Sequence, residues 1–206
     1  MSRKKPIPIF ELTLGALYIA LFALAGNVPV LSAITIAGIP VTLQNFLIAM
    51  MGLTLGVRGG LLSYGALLLL TACGLPMMSG GKGGVAALVG PTCGYIYGWV
   101  FIILLLGLYA DRGMRPLLSR KWKGMSIHLP VSFGIGVAAT LLQYVCGSAA
   151  LAAVSGKSLA ELPGLLLSNA AFLPGDLIKL GLASFLSLSL FAKPAFSRMM
   201  ASLRSS

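Results

Sequence analysis

Acidic residues are almost missing from this sequence: there are four in 206, against fifteen lysines and arginines. Charged residues of both signs make up 9% of the chain and hydrophobic ones 58%. That leaves too little polar surface to clothe a soluble domain of this size, so the composition points to a membrane protein. Histidine occurs once, as His128, with no Cys, Asp or Glu at ligand spacing, which argues against a metal site. Cys73, Cys93 and Cys146 form no CxxC pair and are expected to be small buried thiols. No Ser, Cys or Thr has a recognisable base beside it, and an intramembrane aspartyl protease would need two carboxylates within the membrane where only Asp176 qualifies. "SGGKGG" at 79–84 is not a phosphate loop either. Pro76 stands where that motif needs its first glycine, and Gly83 follows the lysine where Ser or Thr should bind magnesium. Nothing in the chain reads as an enzyme or as a nucleotide site.

What the sequence has is long apolar runs. Residues 12–57 carry no charge at all. As one helix they would extend roughly 69 Å, against a hydrocarbon core of about 30 Å, so the stretch must fold back. "AGNVPV" (25–30) and "AGIP" (37–40) supply the breakers, which predicts two spans there, the second of them short. Arg58, Gly59 and Gly60 predict a tight turn, and further apolar runs follow at about 61–75, 91–110, 130–153 and 172–192. The expectation is an all-α, polytopic bundle of six transmembrane helices forming one domain over 1–206, because in lipid only helices or closed barrels satisfy the backbone and these runs are too long for barrel strands. "MSRKK", an apolar run and "ALA" at 23–25 imitate a secretory signal. Glu11 followed by "LTLGALYIALFALAG" is nevertheless long enough to be a span, and is read as one.

The basic residues orient the bundle. With both termini cytoplasmic, the inner segments hold twelve cations (Arg3, Lys4, Lys5, Arg58, Arg112, Arg115, Arg120, Lys121, Lys123, Lys193, Arg198 and Arg204), and the outer loops hold Lys82 and Lys157. The net charge of +11 thus faces anionic lipid, with no nucleic-acid module to oppose that reading.

The fifteenth cation, Lys179, lies within the last apolar run, three residues after Asp176 in "FLPGDLIKLGL". At that spacing the two share a helix face. Asp176 falls 17 residues before Lys193 in the sequence, which is roughly 25 Å of helix and places it at the outer end of the span. Pro174 suits a helix start, where its missing N–H has no partner to lose. Either Asp176 merely caps the helix with Lys179 as its i,i+3 partner, or the pair faces a cavity, as charged residues in spans usually do. Above it, "GLPMMSGGKGGVAALVGPTCGY" (74–95) combines glycines, Met77, Met78 and Lys82. It reads either as a plain surface loop or as a lid whose amides and lysine approach an anion.

Three stretches, "GIPVTLQNFLI" (38–48), "GLPMMSGGKGGVAALVGPTCGYIYG" (74–98) and "AAFLPGDLIK" (170–179), strongly resemble the BioY family, the biotin-binding S components of energy-coupling factor (ECF) transporters. The resemblance runs in order through nearly the whole chain. It implies a multi-pass protein of the bacterial or archaeal cytoplasmic membrane that captures biotin from outside, binds no cofactor of its own, and works with a transmembrane coupling subunit and two cytoplasmic ATPases that hold the ATP. Asp176 and Lys179 match the family's ligand-contacting positions on the last helix. An ionised Asp176 can accept from ureido N–H groups, Asn169 and Gln44 can supply further donors and acceptors, and Tyr95 and Tyr97 offer rings with a polar end. For the ligand carboxylate, Lys82 with the loop amides and Lys179 are both candidates. The small residues Ala16, Ala20 and Ala23 form a stripe on the first span, suited either to packing within the bundle or to close approach by another helix. By resemblance, Ala16 and Ala20 match the AxxxA pattern that docks the coupling subunit. Gly90, Gly94 and Gly98 have no such match and are assigned to internal packing. The rival reading is a self-sufficient secondary transporter, proton-coupled through Asp176.

Overall fold

The structure, a computed structural model, describes residues 9–27, 35–36, 39–40, 42–114 and 125–197. In chain order these form α1 (Ile9–Asn27), a two-residue antiparallel ladder of β1 (Thr35–Ile36) with β2 (Ile39–Pro40), α2 (Gln44–Ala72) and a short α3 (Val85–Val89). Then come α4 (Cys93–Tyr109), a π-helical extension of α4 at Ala110–Met114, α5 (Met125–Val154), α6 (Leu162–Ser168) between 3-10 turns at Leu159–Glu161 and Asn169–Ala171, and α7 (Leu173–Ala192). Most cations of the orientation count (Arg3, Lys4, Lys5, Arg115, Arg120, Lys121, Lys123, Arg198 and Arg204) lie outside the described residues, as do residues 28–34 and 37–38 of the expected first outer connection.

Among the described residues five helices are long and apolar enough to cross a membrane, where six spans were expected. The difference lies in α2, a 29-residue run that takes up both the second and the third expected span. The turn expected at Arg58, Gly59 and Gly60 is not there, since those residues are helical. The break is at Gly56, with φ 76° and ψ −169°, a backbone conformation that in effect only glycine adopts. A Cβ on Gly60 would stand 3.5 Å from the carbonyl oxygen of Met51. In a straight helix the nine intervening steps would separate them by about 13.5 Å, so α2 doubles back on itself. Asp111, on the π extension of α4, holds the reversal in place. Its Oδ2 accepts the Val57 N–H at 3.1 Å, one of the amides that a helix start leaves without an intrahelical partner.

Gly59 and Gly60 serve packing instead: Gly60 admits the side chain of Ile103 and Gly59 lies against Leu55. The same device joins α4 to its neighbours, with Gly94 against the Cys146 carbonyl and Ala150, Gly98 against Gln143, and Gly107 against the backbone of Gly56 and Val57. Gly90, which the sequence groups with Gly94 and Gly98, instead terminates α3. Such approaches replace the hydrophobic drive that lipid does not supply between helices. The core they enclose runs through Phe22, Ile48, Met51, Leu53, Ile102 and Ile103. The Phe196 ring meets Phe10 and Phe191 edge-on, so the start of α1 and the end of α7 lie at one end of the bundle.

The cysteines are not the buried thiols expected: Cys73 is exposed, Cys93 and Cys146 are half-buried, and all three are free. His128 lies inside α5, buried, with its Nδ1 hydrogen-bonded to the Tyr109 hydroxyl.

Gly56→Ala adds a methyl where the Asp111 carboxylate already sits and forces a non-glycine residue into this conformation. It is expected to destabilise the protein by roughly 1–3 kcal/mol or more, read as a lower melting temperature in detergent. A melting curve that overlays the wild type's would contradict the reversal at this residue.

Candidate ligand-binding site

α7 begins with Pro174 in its first turn, as the sequence predicts, and brings Asp176 and Lys179 onto one inward face. Both are buried, at 4% and 7% exposed. Lys179 Nζ donates to Asp176 Oδ1 at 2.5 Å. The partner half of the capping alternative is therefore real, but capping is not: the α7 N-cap, Phe172, has no side-chain cap bond, and the other donors to the Asp176 carboxylate are side chains of other helices. Tyr144 of α5 donates its hydroxyl to Oδ2 at 2.5 Å, and Asn45 of α2 donates Nδ2 to Oδ1 at 3.2 Å. Asn45 is itself oriented by Trp99 of α4, whose Nε1 donates to Asn45 Oδ1 at 2.6 Å. Three helices thus converge on one carboxylate, and a fourth supports it through Asn45. A buried charge needs this many partners because desolvation penalises each ion that leaves water.

The pair borders a cavity of about 520 Å³, within the range of about 300–1,000 Å³ usual for small-molecule sites. Of the residues singled out in the sequence, Asp176, Lys179, Asn169, Gln44, Lys82 and Tyr95 all line it. Tyr97 does not, and its inclusion is corrected: two residues along a helix from Tyr95 it points the other way, is 47% exposed, and donates its hydroxyl to the Leu88 carbonyl at 2.9 Å. Met77 and Met78 are both buried in the core, and Met78 also borders the cavity. Ala16 and Ala20 are exposed on the outer surface of α1, away from the cavity, while Ala23 is half-buried.

Several of these side chains hold the site together more than they face it. Gln44 spends its carboxamide on the loop above, donating Nε2 to the Met77 carbonyl at 3.2 Å and accepting Ser79 Oγ–H at 2.6 Å. Asn169, in the 3-10 turn before α7, accepts the Tyr95 hydroxyl at 2.9 Å and donates to Ser148 Oγ at 2.8 Å. The Gly-rich loop is tied down at several points. Met78 N–H donates to the Lys82 carbonyl at 2.9 Å, Gly80 N–H to the Gly26 carbonyl at 3.0 Å, and Gly84 N–H to the Thr71 carbonyl at 2.7 Å. Gly80, Gly81 and Gly84 take positive φ there. Asn27 at the end of α1 also donates to the Pro76 carbonyl. The loop is accordingly a fastened cover at the cavity, with Lys82 in its wall.

Sequence reasoning missed Asn45, Trp99, Gln143 and Tyr144, all cavity-lining. The available signal was uncharged polar side chains inside apolar runs, which in a membrane face the bundle interior.

The arrangement fits a compact, partly apolar guest that offers hydrogen-bond donors and acceptors. It contains no nucleophile and base in position for chemistry among the described residues. No group of three or more His, Cys, Asp or Glu that could hold a metal occurs among them.

Comparison with known proteins agrees in kind. The sequence matches the family model described as "BioY family" over residues 1–195. It is 33% identical over 176 residues to the biotin transporter BioY of Rhizobium etli, covering 85% of this chain and 90% of that one. To the biotin transporter BioY of Lactococcus lactis subsp. cremoris it is 35% identical over 168 residues, covering 82% and 83%. Among solved structures, the S-component for biotin from an ECF-type ABC transporter superposes with a TM-score of 0.71 at 29% identity, covering 90% of this chain and 92% of that one.

Removing one member of the ion pair leaves the other buried and unmatched. Lys179→Met is expected to cost about 3–5 kcal/mol of stability, and Asp176→Leu a similar amount. The double replacement should cost less than either. Thermal unfolding of the three variants in detergent tests this, and a double variant weaker than both singles would contradict the pairing.

Proposed function

The chain belongs to the BioY family, and from that premise we propose that it is the biotin-binding subunit of an ATP-driven vitamin transporter, taking biotin from the outer side of the membrane. It is a multi-pass membrane protein that binds substrate and is not an enzyme. The observation that carries the reading is the buried Asp176–Lys179 pair in the wall of a cavity beside the fastened Gly-rich loop. A purely structural pair could be exchanged for apolar residues at little cost, so its retention beside a cavity calls for a ligand that uses it.

Biotin has the complementary groups. Its ureido carbonyl can accept from Lys179, which has three N–H donors and spends one on Asp176. A ureido N–H can reach the lone pair of Asp176 Oδ2 that Tyr144 leaves open. The thiophane ring and the valeryl chain lie against Trp99, Ile96 and Met78. Lys82 and the loop amides receive the carboxylate, which leaves Lys179 for the ureido end.

On this reading the two arms of α2 count as two spans, giving six with both termini cytoplasmic. Ala16 and Ala20, exposed on α1, dock the transmembrane coupling subunit, and two cytoplasmic ATPases supply the hydrolysis, for which the sequence of this chain offers no phosphate-loop motif. Reorientation of the loaded subunit within that complex releases biotin inside.

Calorimetric titration of the purified protein with biotin, thiamine and riboflavin tests the substrate, and binding of biotin alone is expected. Heat from thiamine or riboflavin instead, or from none of the three, would overturn the assignment. Asp176→Ala should weaken biotin binding by roughly 1–3 kcal/mol through an unpaired ligand donor. Replacing Ala16 and Ala20 together by Trp should abolish uptake while leaving biotin affinity unchanged, and loss of both at once would contradict the docking role.

A further inference from the structure

Gly147 of α5 is buried and does not itself border the cavity, whereas Tyr95 of α4 does. A Cβ at Gly147 would overlap Cδ1, Cε1 and Cγ of the Tyr95 ring, and these are the three atoms nearest to it. The ring therefore lies on the bare backbone of α5 and forms the cavity wall in front of it. It is tied back to α5 at both ends. Gln143 Nε2 donates to the Tyr95 carbonyl at 3.1 Å. The Tyr95 hydroxyl donates to Asn169 Oδ1 at 2.9 Å, and Asn169 Nδ2 donates at 2.8 Å to Oγ of Ser148, the residue after Gly147. Asn169 and Ser148 are both buried, so neither bond is readily exchanged for one to water. A methyl at residue 147 leaves the ring two responses: it breaks one of these bonds, or it bows away from α5 toward the cavity. Glycine inside a helix is less favourable than alanine, so its place here needs a reason, and the ring supplies one.

We propose that Gly147 is a positioning residue for ligand specificity: by seating the Tyr95 ring it fixes the width of the cavity beside the ion pair, and with it the ring systems the site admits. The inference rests on the biotin reading above and deepens it. Gly147 follows Tyr144 by three residues and shares its face of α5. Tyr144 is the side chain that bonds Asp176 Oδ2. The Tyr95 ring thus stands about one helical turn along α5 from where that reading places the ureido end. Asn169, which holds the tip of the ring, lies in the turn that leads into α7 and its Asp176 and Lys179. The wall next to the ureido end is an aromatic ring backed by a glycine, and a fused bicyclic head gains the depth of one methyl group there. Narrowing the wall by that methyl costs a bicyclic head more than a single ring, because overpacking is felt most where the space is already filled.

The test uses the full-length protein and calorimetry with biotin and with desthiobiotin, which carries the same ureido group and acid chain on a single ring. Gly147→Ala is expected to bind biotin about 10- to 100-fold more weakly than wild type, with a loss for desthiobiotin at least about threefold smaller. In a Tyr95→Ala background the ring is gone. Adding Gly147→Ala there should leave the melting temperature unchanged and biotin affinity within about twofold. A Gly147→Ala variant that binds biotin as wild type does, or that weakens both ligands alike, overturns the proposal. So does an equal loss with and without the Tyr95 ring. If Gly147→Ala is not recovered folded, the double variant should be recovered with the melting temperature and biotin affinity of Tyr95→Ala, and a double variant that also fails to fold overturns the proposal. In each of these cases wild type still binds biotin, and the functional reading stands. Wild type that binds no biotin overturns the functional reading and this inference together.

Discussion

The ion pair between Asp176 and Lys179 constrains more of this protein than any other interaction. Two charges removed from water in a membrane bundle must be matched almost completely, and the matching reaches across four helices. Tyr144 fixes the face that α5 turns inward, Asn45 fixes the start of α2, and Trp99 ties α4 to Asn45. The rotational setting of these helices is therefore set by the needs of one carboxylate as much as by apolar packing.

That setting depends in turn on small residues elsewhere. Gly56 lets α2 reverse within a single residue, so that its first arm can carry Gln44 and Asn45 to the cavity and its second arm can return to the same end. Gly94 and Gly98 bring α4 close enough to α5 for Tyr95, Gln143 and Tyr144 to share one wall. On the proposed function the cover over the cavity also acquires a meaning. The loop beside it is fastened to the end of α1 through Gly26 and Asn27, and α1 is the helix whose small exposed residues are assigned to the coupling subunit.

Binding without chemistry is consistent with what the chain contains. Its polar side chains near the cavity are amides, phenols, hydroxyls, the Trp99 indole, one ion pair and the further cation Lys82, which suit recognition of a ring with N–H and carbonyl groups that also carries an anionic end. Most of their partners are already arranged within the protein, so little reorganisation is left for the moment of capture.

The sequence by itself determined the solvent, the helical class, the charged pair and its place at the start of the last helix. Each of these is a local property: the length of an apolar run, the spacing of two charges, or a proline at a first turn. Six of the seven proposed ligand-site residues line the cavity for the same reason, since they sit in or beside distinctive local motifs. Tyr97 went astray because two aromatic residues in one motif look alike until a helix turns them to opposite sides. The reversal was placed at the glycine pair 59–60 because consecutive glycines look like a turn. The side chain of Asp111, 55 residues further on, selects Gly56 instead. Asn45, Trp99, Gln143 and Tyr144 acquired their roles only in the tertiary structure, because what each one bonds is a residue on another helix and no spacing along the chain records that.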